Sequence, residues 1–407
     1  MTKRHLLPFC MMALCSICLH AQPRNHHRRM AFSTDTVMAH DPVMAYENGT
    51  YHLLSTGMGI QWATSKDRKT WVMQPTPFIE QIPQWTHDSV PGFRNHVWAP
   101  DIIRWHDRWW LAYSCSTFGK NTSAIGLMSA SSLTGQWKDE GCIVASKEKR
   151  DNWNAIDPCF VIDDNDQPWL TWGSFWDGIQ IARLTLSHFS SLISPPVTIA
   201  RRYQPNDPNA AENPTSKFAG RNAIDPCFVI DDDDQPWLTW GSFWDGIQIA
   251  RLTLSHLSSL ISPPVTIARR YQPNDPNAAE NPTSKFAGRN AIEAPFILKH
   301  GGYYYLFVSW DYCCRGSLSN YRVAVGRSKQ VSGPYLDREG RDMLNGGGTL
   351  FLEGDKTEFE AAGHCAAYDM NGESIFICHG YSARLNGAAL LIQKPIKWTS
   401  DQWPYLE

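Results

Sequence analysis

Asn154-Ala155-Ile156-Asp157-Pro158 opens an apolar run that turns among aspartates and returns as Trp169-Leu170-Thr171-Trp172. The plan recurs along the chain. Asp41-Pro42 precedes Tyr51-His52-Leu53-Leu54, and Ala99-Pro100 precedes Trp109-Trp110-Leu111-Ala112-Tyr113. Ala294-Pro295 precedes Tyr303-Tyr304-Tyr305-Leu306-Phe307, and Gly363-His364 opens the last unit. Two short strands follow in most units, one of them rich in small residues, as in Ile125-Gly126-Leu127-Met128-Ser129-Ala130. Short β-rich segments, frequent turn signals and almost no helical periodicity predict an all-β chain. Units of roughly 60 residues with four strands each read as blades of a β-propeller.

A second repeat lies on top of the first. Residues 154–221 and 222–289 are one segment written twice, differing only at Asn165 against Asp233 and Phe189 against Leu257. Near-identity points to a recent tandem duplication, or to an error in the gene assembly, rather than to an old structural repeat. Without the copy the chain predicts a five-bladed propeller, and the copy becomes an extra blade or an extruded insert. The Pro/Asn-rich stretches 203–217 and 271–285 read as surface loops.

Composition narrows the function. With 407 residues, 43% of them hydrophobic and 19% charged, the chain suits a large core and not a disordered one. A net charge of -3 leaves no basic footprint, so neither nucleic acid nor a membrane surface is an expected partner. The 18 tryptophans offer flat apolar faces of the kind that pack cores or stack on sugars. Residues 1–21 read as a signal peptide: Lys3 and Arg4, an apolar run from Leu6 to Leu19, then a small residue at Ala21. The remainder, 22–407, is expected to be a single catalytic propeller, monomeric and secreted or periplasmic. Of the 11 cysteines, Cys10, Cys15 and Cys18 fall in the signal segment and the others show no CxxC spacing, so no disulfide framework is expected.

In a propeller the first strand of each blade is innermost, so residues that open it converge on the axial channel. Asp41, Asp157, Asp225, Glu293 and His364 occupy that place by sequence pattern. Clustered carboxylates repel unless they serve a purpose. Glycoside hydrolysis by inversion is such a purpose: one carboxylate activates water, and one carboxylic acid, kept protonated by its neighbours, protonates the leaving oxygen. Trp98, Trp105, Phe175 and Trp176 stand near the same strands, where they could stack on sugar rings.

These residues make the chain resemble the family 43 glycoside hydrolases, and within them the endo-1,5-α-L-arabinanases. The likeness is carried, in order, by His40-Asp41-Pro42, Trp98-Ala99-Pro100-Asp101, Ser123-Ala124-Ile125-Gly126, Asn154-Ala155-Ile156-Asp157-Pro158, Trp172-Gly173-Ser174-Phe175-Trp176, Ile292-Glu293-Ala294-Pro295-Phe296, Val325-Gly326-Arg327-Ser328, Gly346-Gly347-Gly348-Thr349 and Gly363-His364. The resemblance implies a five-bladed propeller cutting arabinan, with Asp41 as general base and Glu293 as general acid. The pKa-tuning aspartate is Asp157 or Asp225, with Asp157 favoured because it follows the undisturbed junction. Trp98, Asn154, Ser174, Phe175 and Trp176 are expected to bind the polysaccharide substrate, and His364 to hold calcium or another cation in the axial channel. The alternatives are an α-L-arabinofuranosidase or β-xylosidase of the same family, or a sugar-binding propeller inactivated by the duplication. A true sixth blade is expected to widen the ring and separate Asp41 from Glu293. Glu358-Phe359-Glu360-Ala361-Ala362 departs from the family before Gly363-His364, and Cys313-Cys314 are expected to be free thiols.

Overall fold

The computed structural model describes residues 31–407 except 35, 164, 174–177, 186–190, 193, 195, 201–223, 242–245, 254–261, 271–290 and 371. The signal segment and the two Pro/Asn-rich loops lie outside the described residues. The rest forms six antiparallel sheets. The all-β propeller stands, but the five-blade count is corrected to six. The duplicated segment is a blade of its own, not an extruded insert.

The blades begin with the inner strands Val43–Glu47, His96–Trp105, Ile156–Ile162, Ile224–Ile230, Ile292–His300 and Phe359–Met370. We number them 1 to 6 in that order. Each inner strand pairs with its successor as a hairpin, and the strands then step outward. Sheets stacked face to face bury both sides of their middle strands, so these strands are apolar throughout rather than alternating. Arg108–Cys115 is buried after its first residue, and so is Tyr303–Trp310. The ring closes where Ala39 N–H donates to Ala389 O (2.9 Å) and Leu391 N–H to Val37 O (2.6 Å). Met44, Leu53 and Ile377 then share one core across that seam.

A bulge in the inner strand aims residues at the axis. In blades 2 to 6 the pairing skips at Trp98/Asp101, Ile156/Cys159, Ile224/Cys227, Glu293/Phe296 and Gly363/Ala366. The first extra residue has positive φ each time: Ala99 (39°), Asp157 (53°), Asp225 (52°), Ala294 (49°) and His364 (54°), with Asp41 (47°) matching in blade 1. A left-handed conformation costs a non-glycine residue on the order of 1–2 kcal/mol, so such a recurrence needs support from outside. The preceding blade supplies it. Ala99 N–H donates to Thr56 Oγ1 (2.9 Å), Asp157 N–H to Ser114 Oγ (3.0 Å) and His364 N–H to Ser309 Oγ (2.9 Å). Between blades 4 and 5 the facing residue is Gly241, which has no hydroxyl and on which the Glu293 backbone packs so closely that a Cβ would sit 3.1 Å from Glu293 Cα. There the Asp225 carboxylate takes over, its Oδ2 accepting from Ala294 N–H at 3.0 Å.

Candidate active site

The bulges bring Asp157, Asp225 and His364 to one end of the channel, and Asp41, two residues before the first inner strand, joins them with the same positive φ. Glu293 is the exception. It stands one residue before the bulge, opposite Ser309, and Ala294 takes the place that the aspartates hold. The expected equivalence of Glu293 with the aspartates is therefore corrected by one position, because the Ala between Glu and Pro shifts the register. Trp98 holds the same pre-bulge position in blade 2, opposite Ser114, and its Nε1 donates to His96 Nδ1 (3.0 Å).

Asp41 lies among histidines. His40 Nδ1 is 2.9 Å from Asp41 Oδ2 and His364 Nδ1 is 3.6 Å from Oδ1, while Thr56 Oγ1 donates to Oδ2 at 3.0 Å. His379 stacks on His40 with ring centroids 4.5 Å apart, and its Nε2 is bonded to Tyr381 OH (3.1 Å). Burial pushes the Asp41 carboxyl up, but the charges of His40, His364 and His379 outweigh it and hold the group well below the usual carboxylate range.

Glu293 is buried, with 8% exposure, and Tyr321 OH donates to its Oε1 at 2.7 Å. Burial, then the Asp225 charge, push it up to about 7 against the pull of the Tyr321 bond. Asp41 is among the charges that raise it, so the sixth blade has not taken the two carboxyls out of electrostatic reach. Burial and the charge of Asp225 push Asp157 up to about 8. Burial also raises Asp225. For His364 burial acts downward, but the four surrounding carboxyls raise it overall.

Several expected residues fall elsewhere. Asn154 is 3% exposed and braces the strand opening: its Oδ1 accepts from Ser146 Oγ and its Nδ2 donates to Lys120 O, both at 3.4 Å. Ser174, Phe175 and Trp176 lie outside the described residues. Asp101 ties two blades together, its Oδ2 accepting from Phe160 N–H at 2.7 Å. The expectation of free thiols at Cys313 and Cys314 is also corrected, since the two form a disulfide. Cys314 N–H donates to Tyr381 OH (2.9 Å), and its sulfur lies 3.9 Å from His40 Nε2. Sequence reasoning passed over Tyr321, His40 and His379; only His40, beside Asp41-Pro42, carried a local signal.

As a cation site the channel has the right donor chemistry. His364 offers one imidazole, and the four clustered carboxyls, Glu293 buried and Asp41, Asp157 and Asp225 half-buried, carry negative charge that calls for protons or a counter-ion. One nitrogen among oxygens suits a hydrated hard cation rather than zinc. An overlapping group, His40, Asp41 and His379, places its ligand atoms within 4.8 Å of one another.

A propeller with carboxyls clustered around one end of its axis, one held well below the usual carboxylate range and another pushed up to about 7, has the divergent carboxyl pair of a glycoside hydrolase. Residues 35–217 and 207–404 both match the Glycosyl hydrolases family 43, and the chain belongs to that family. An extracellular exo-α-(1→5)-L-arabinofuranosidase of Cellvibrio japonicus is 35% identical over 383 residues, 93% of this chain and 89% of that protein. An extracellular endo-α-(1→5)-L-arabinanase of Bacillus subtilis is 32% identical over 372 residues, 90% of this chain and 87% of that protein. Among solved structures, an exo-1,5-α-L-arabinanase from a bovine ruminal metagenomic library is 38% identical, with a TM-score of 0.59, 92% of this chain and 97% of that one covered. The α-L-arabinanase of Cellvibrio cellulosa in complex with arabinohexaose is 33% identical, with a TM-score of 0.58, 91% of this chain and 96% of that one covered.

Proposed function

We propose that the protein is an exported, endo-acting hydrolase of α-1,5-L-arabinan that works by single displacement with inversion. The observation that carries the reading is the divergence of two carboxyls at one end of the channel. Asp41 is held ionised by its histidines, and Glu293 is held up at about 7. Titratable pairs driven apart in this way mark base and acid. Asp41 takes a proton from the attacking water as its oxygen bonds to the anomeric carbon. Glu293 gives its proton to the departing oxygen as the glycosidic bond breaks. Each turnover leaves Asp41 protonated and Glu293 ionised, and exchange with solvent resets both.

Asp225 is the tuning aspartate in this reading, because it both raises Glu293 and clamps the N–H of the residue that follows it. Asp157 is then the surplus copy. Trp98 lines the sugar path at the place Glu293 holds three blades on. A calcium-like cation held by His364 would offset the carboxyl charge. Export rests on residues 1–21 and on the extracellular relatives.

An exo-acting reading is favoured by the relatives at 35% and 38% identity. Incubation with linear arabinan, following new reducing ends and product length, tests both. A ladder of oligosaccharides supports endo action, arabinose or one short product supports exo action, and silence with active controls overturns the enzyme reading. Proton NMR of the first-formed anomer tests inversion.

A further inference from the structure

Glu293 has two oxygens, and only one can deliver a proton to substrate. The loop between the second and third strands of blade 5 determines which is free. Tyr321, 1% exposed, donates its hydroxyl to Glu293 Oε1 at 2.7 Å. The tyrosine is itself held from two sides. Its carbonyl accepts from Ala362 N–H at 3.0 Å, and its ring lies on Gly363 so closely that a Cβ there would sit 2.2 Å from Tyr321 Cδ1. Beneath, Ser309 pairs with Glu293 in the ladder and accepts the His364 N–H.

The structure assigns Tyr321 as the positioning residue of the general acid: by occupying Oε1 it turns Oε2 toward the glycosidic oxygen, and it stabilises the carboxylate left after proton transfer. The inference rests on the reading of Glu293 as the acid. It also gives Gly363 a reason that the sequence motif alone does not supply, which is to admit the tyrosine ring.

The groups that face Glu293 are Asp225, Asp41, His364 and Tyr321. The tyrosine is the one that donates to it directly, so its loss moves the acid upward while the other three stay in place. The test compares wild type, Tyr321→Phe and Glu293→Gln on arabinan and on aryl arabino-oligosides whose nitrophenolate leaves without a proton. Tyr321→Phe is expected to lower kcat on arabinan by about 10- to 100-fold, a fraction of a general acid's usual worth. The aryl substrates are expected to lose under about 3-fold, and the alkaline limb of the arabinan pH profile to move to higher pH. Equal losses on both substrates with an unmoved limb overturn the assignment and leave Tyr321 a packing residue. If Glu293→Gln itself fails to discriminate between the substrates, it is the acid reading that falls. Should the phenylalanine variant not fold, 3-fluorotyrosine at 321 keeps the shape and donates more strongly. The limb must then move to lower pH, and an unmoved limb overturns the assignment.

Discussion

Blades 3 and 4 are the same sequence folded twice in one molecule, which separates what a segment does by itself from what its neighbours make of it. Locally the copies agree. Asp163 Oδ1 accepts from Asn165 and Gln167 N–H and its Oδ2 from Trp169 Nε1 (2.8 Å), while Asp231 repeats this with Asp233, Gln235 and Trp237 (2.7 Å). Arg183 N–H donates to Ser194 Oγ at 2.9 Å, and Arg251 N–H to Ser262 Oγ at 3.0 Å. Across the blade faces they diverge. Asp157 receives support from Ser114 of blade 2, whereas Asp225 gives support to Ala294 of blade 5. Among the described residues Asp157 makes no counterpart bond to the Asp225 N–H. Turns and hairpins belong to the sequence, and the role at the axis belongs to the next blade.

The largest effect that could break this comparison is functional. Asp225→Asn is expected to lower kcat on arabinan by about 100-fold or more, while Asp157→Asn costs under about 3-fold, because only Asp225 adjoins the acid. Initial rates of reducing-end release measure both. The reverse order would return the tuning role to the first copy.

Burial offers a structural counterpart. Asp163 is 9% exposed, whereas Asp231 is more open, though their bonds are the same. Stripping the acceptor from a buried donor set costs about 1–3 kcal/mol, and less where water can replace it. Asp163→Ala should therefore lower stability by about 2 kcal/mol and Asp231→Ala by about 1, read by urea denaturation. Equal costs would mean that the two blades are equally well packed.

The pH dependence of stability follows from the raised acids. Asp157 at about 8 and Glu293 at about 7 lie above the ordinary values of 3.8 and 4.5. The native chain then holds more protons than the unfolded one from about pH 4 to pH 8, so their contribution to stability falls as pH rises through that window. Asp157→Asn removes one of the two. Its melting temperature should fall less than that of wild type between pH 5 and pH 8, by roughly 2–4 °C, in a calorimetric series. Parallel curves would place Asp157 in water rather than in the channel.

Much of this was legible beforehand, and the gaps have physical causes. Strand and turn periodicity gave the blades, since hairpins are local. The convergence of Asp41, Asp157, Asp225 and His364 followed from their shared place at the opening of each unit's first strand. The one-residue offset of Glu293 did not, because a bulge is decided by pairing with Ser309, 16 positions on. The bonds of Asn154 to Lys120 and Ser146 were equally out of sight, because a motif does not show its partners. Tyr321 sits in a loop and meets Glu293 only through the fold. Blade or insert could not be decided from either copy, because each copy contains a full hairpin and only the outer faces choose.

The smallest expected effect comes from removing a whole blade. Deleting 222–289 leaves one copy joined to Asn290 by the same Arg-Asn junction that follows both copies. Its Asp157 would then meet Ser114 on one side and Ala294 on the other, making with one residue the two bonds now divided between Asp157 and Asp225. The general base, acid and tyrosine stay on the blades they occupy now. Activity on arabinan should change by under about 3-fold, with a single cooperative melt, because the tuning contact is rebuilt rather than lost. Asp157→Asn in the shortened chain should then cost about 100-fold, the price that Asp225→Asn exacts in the full one. If the shortened chain folds but is inactive, the six-bladed ring has become the working form, and the two copies have ceased to be interchangeable.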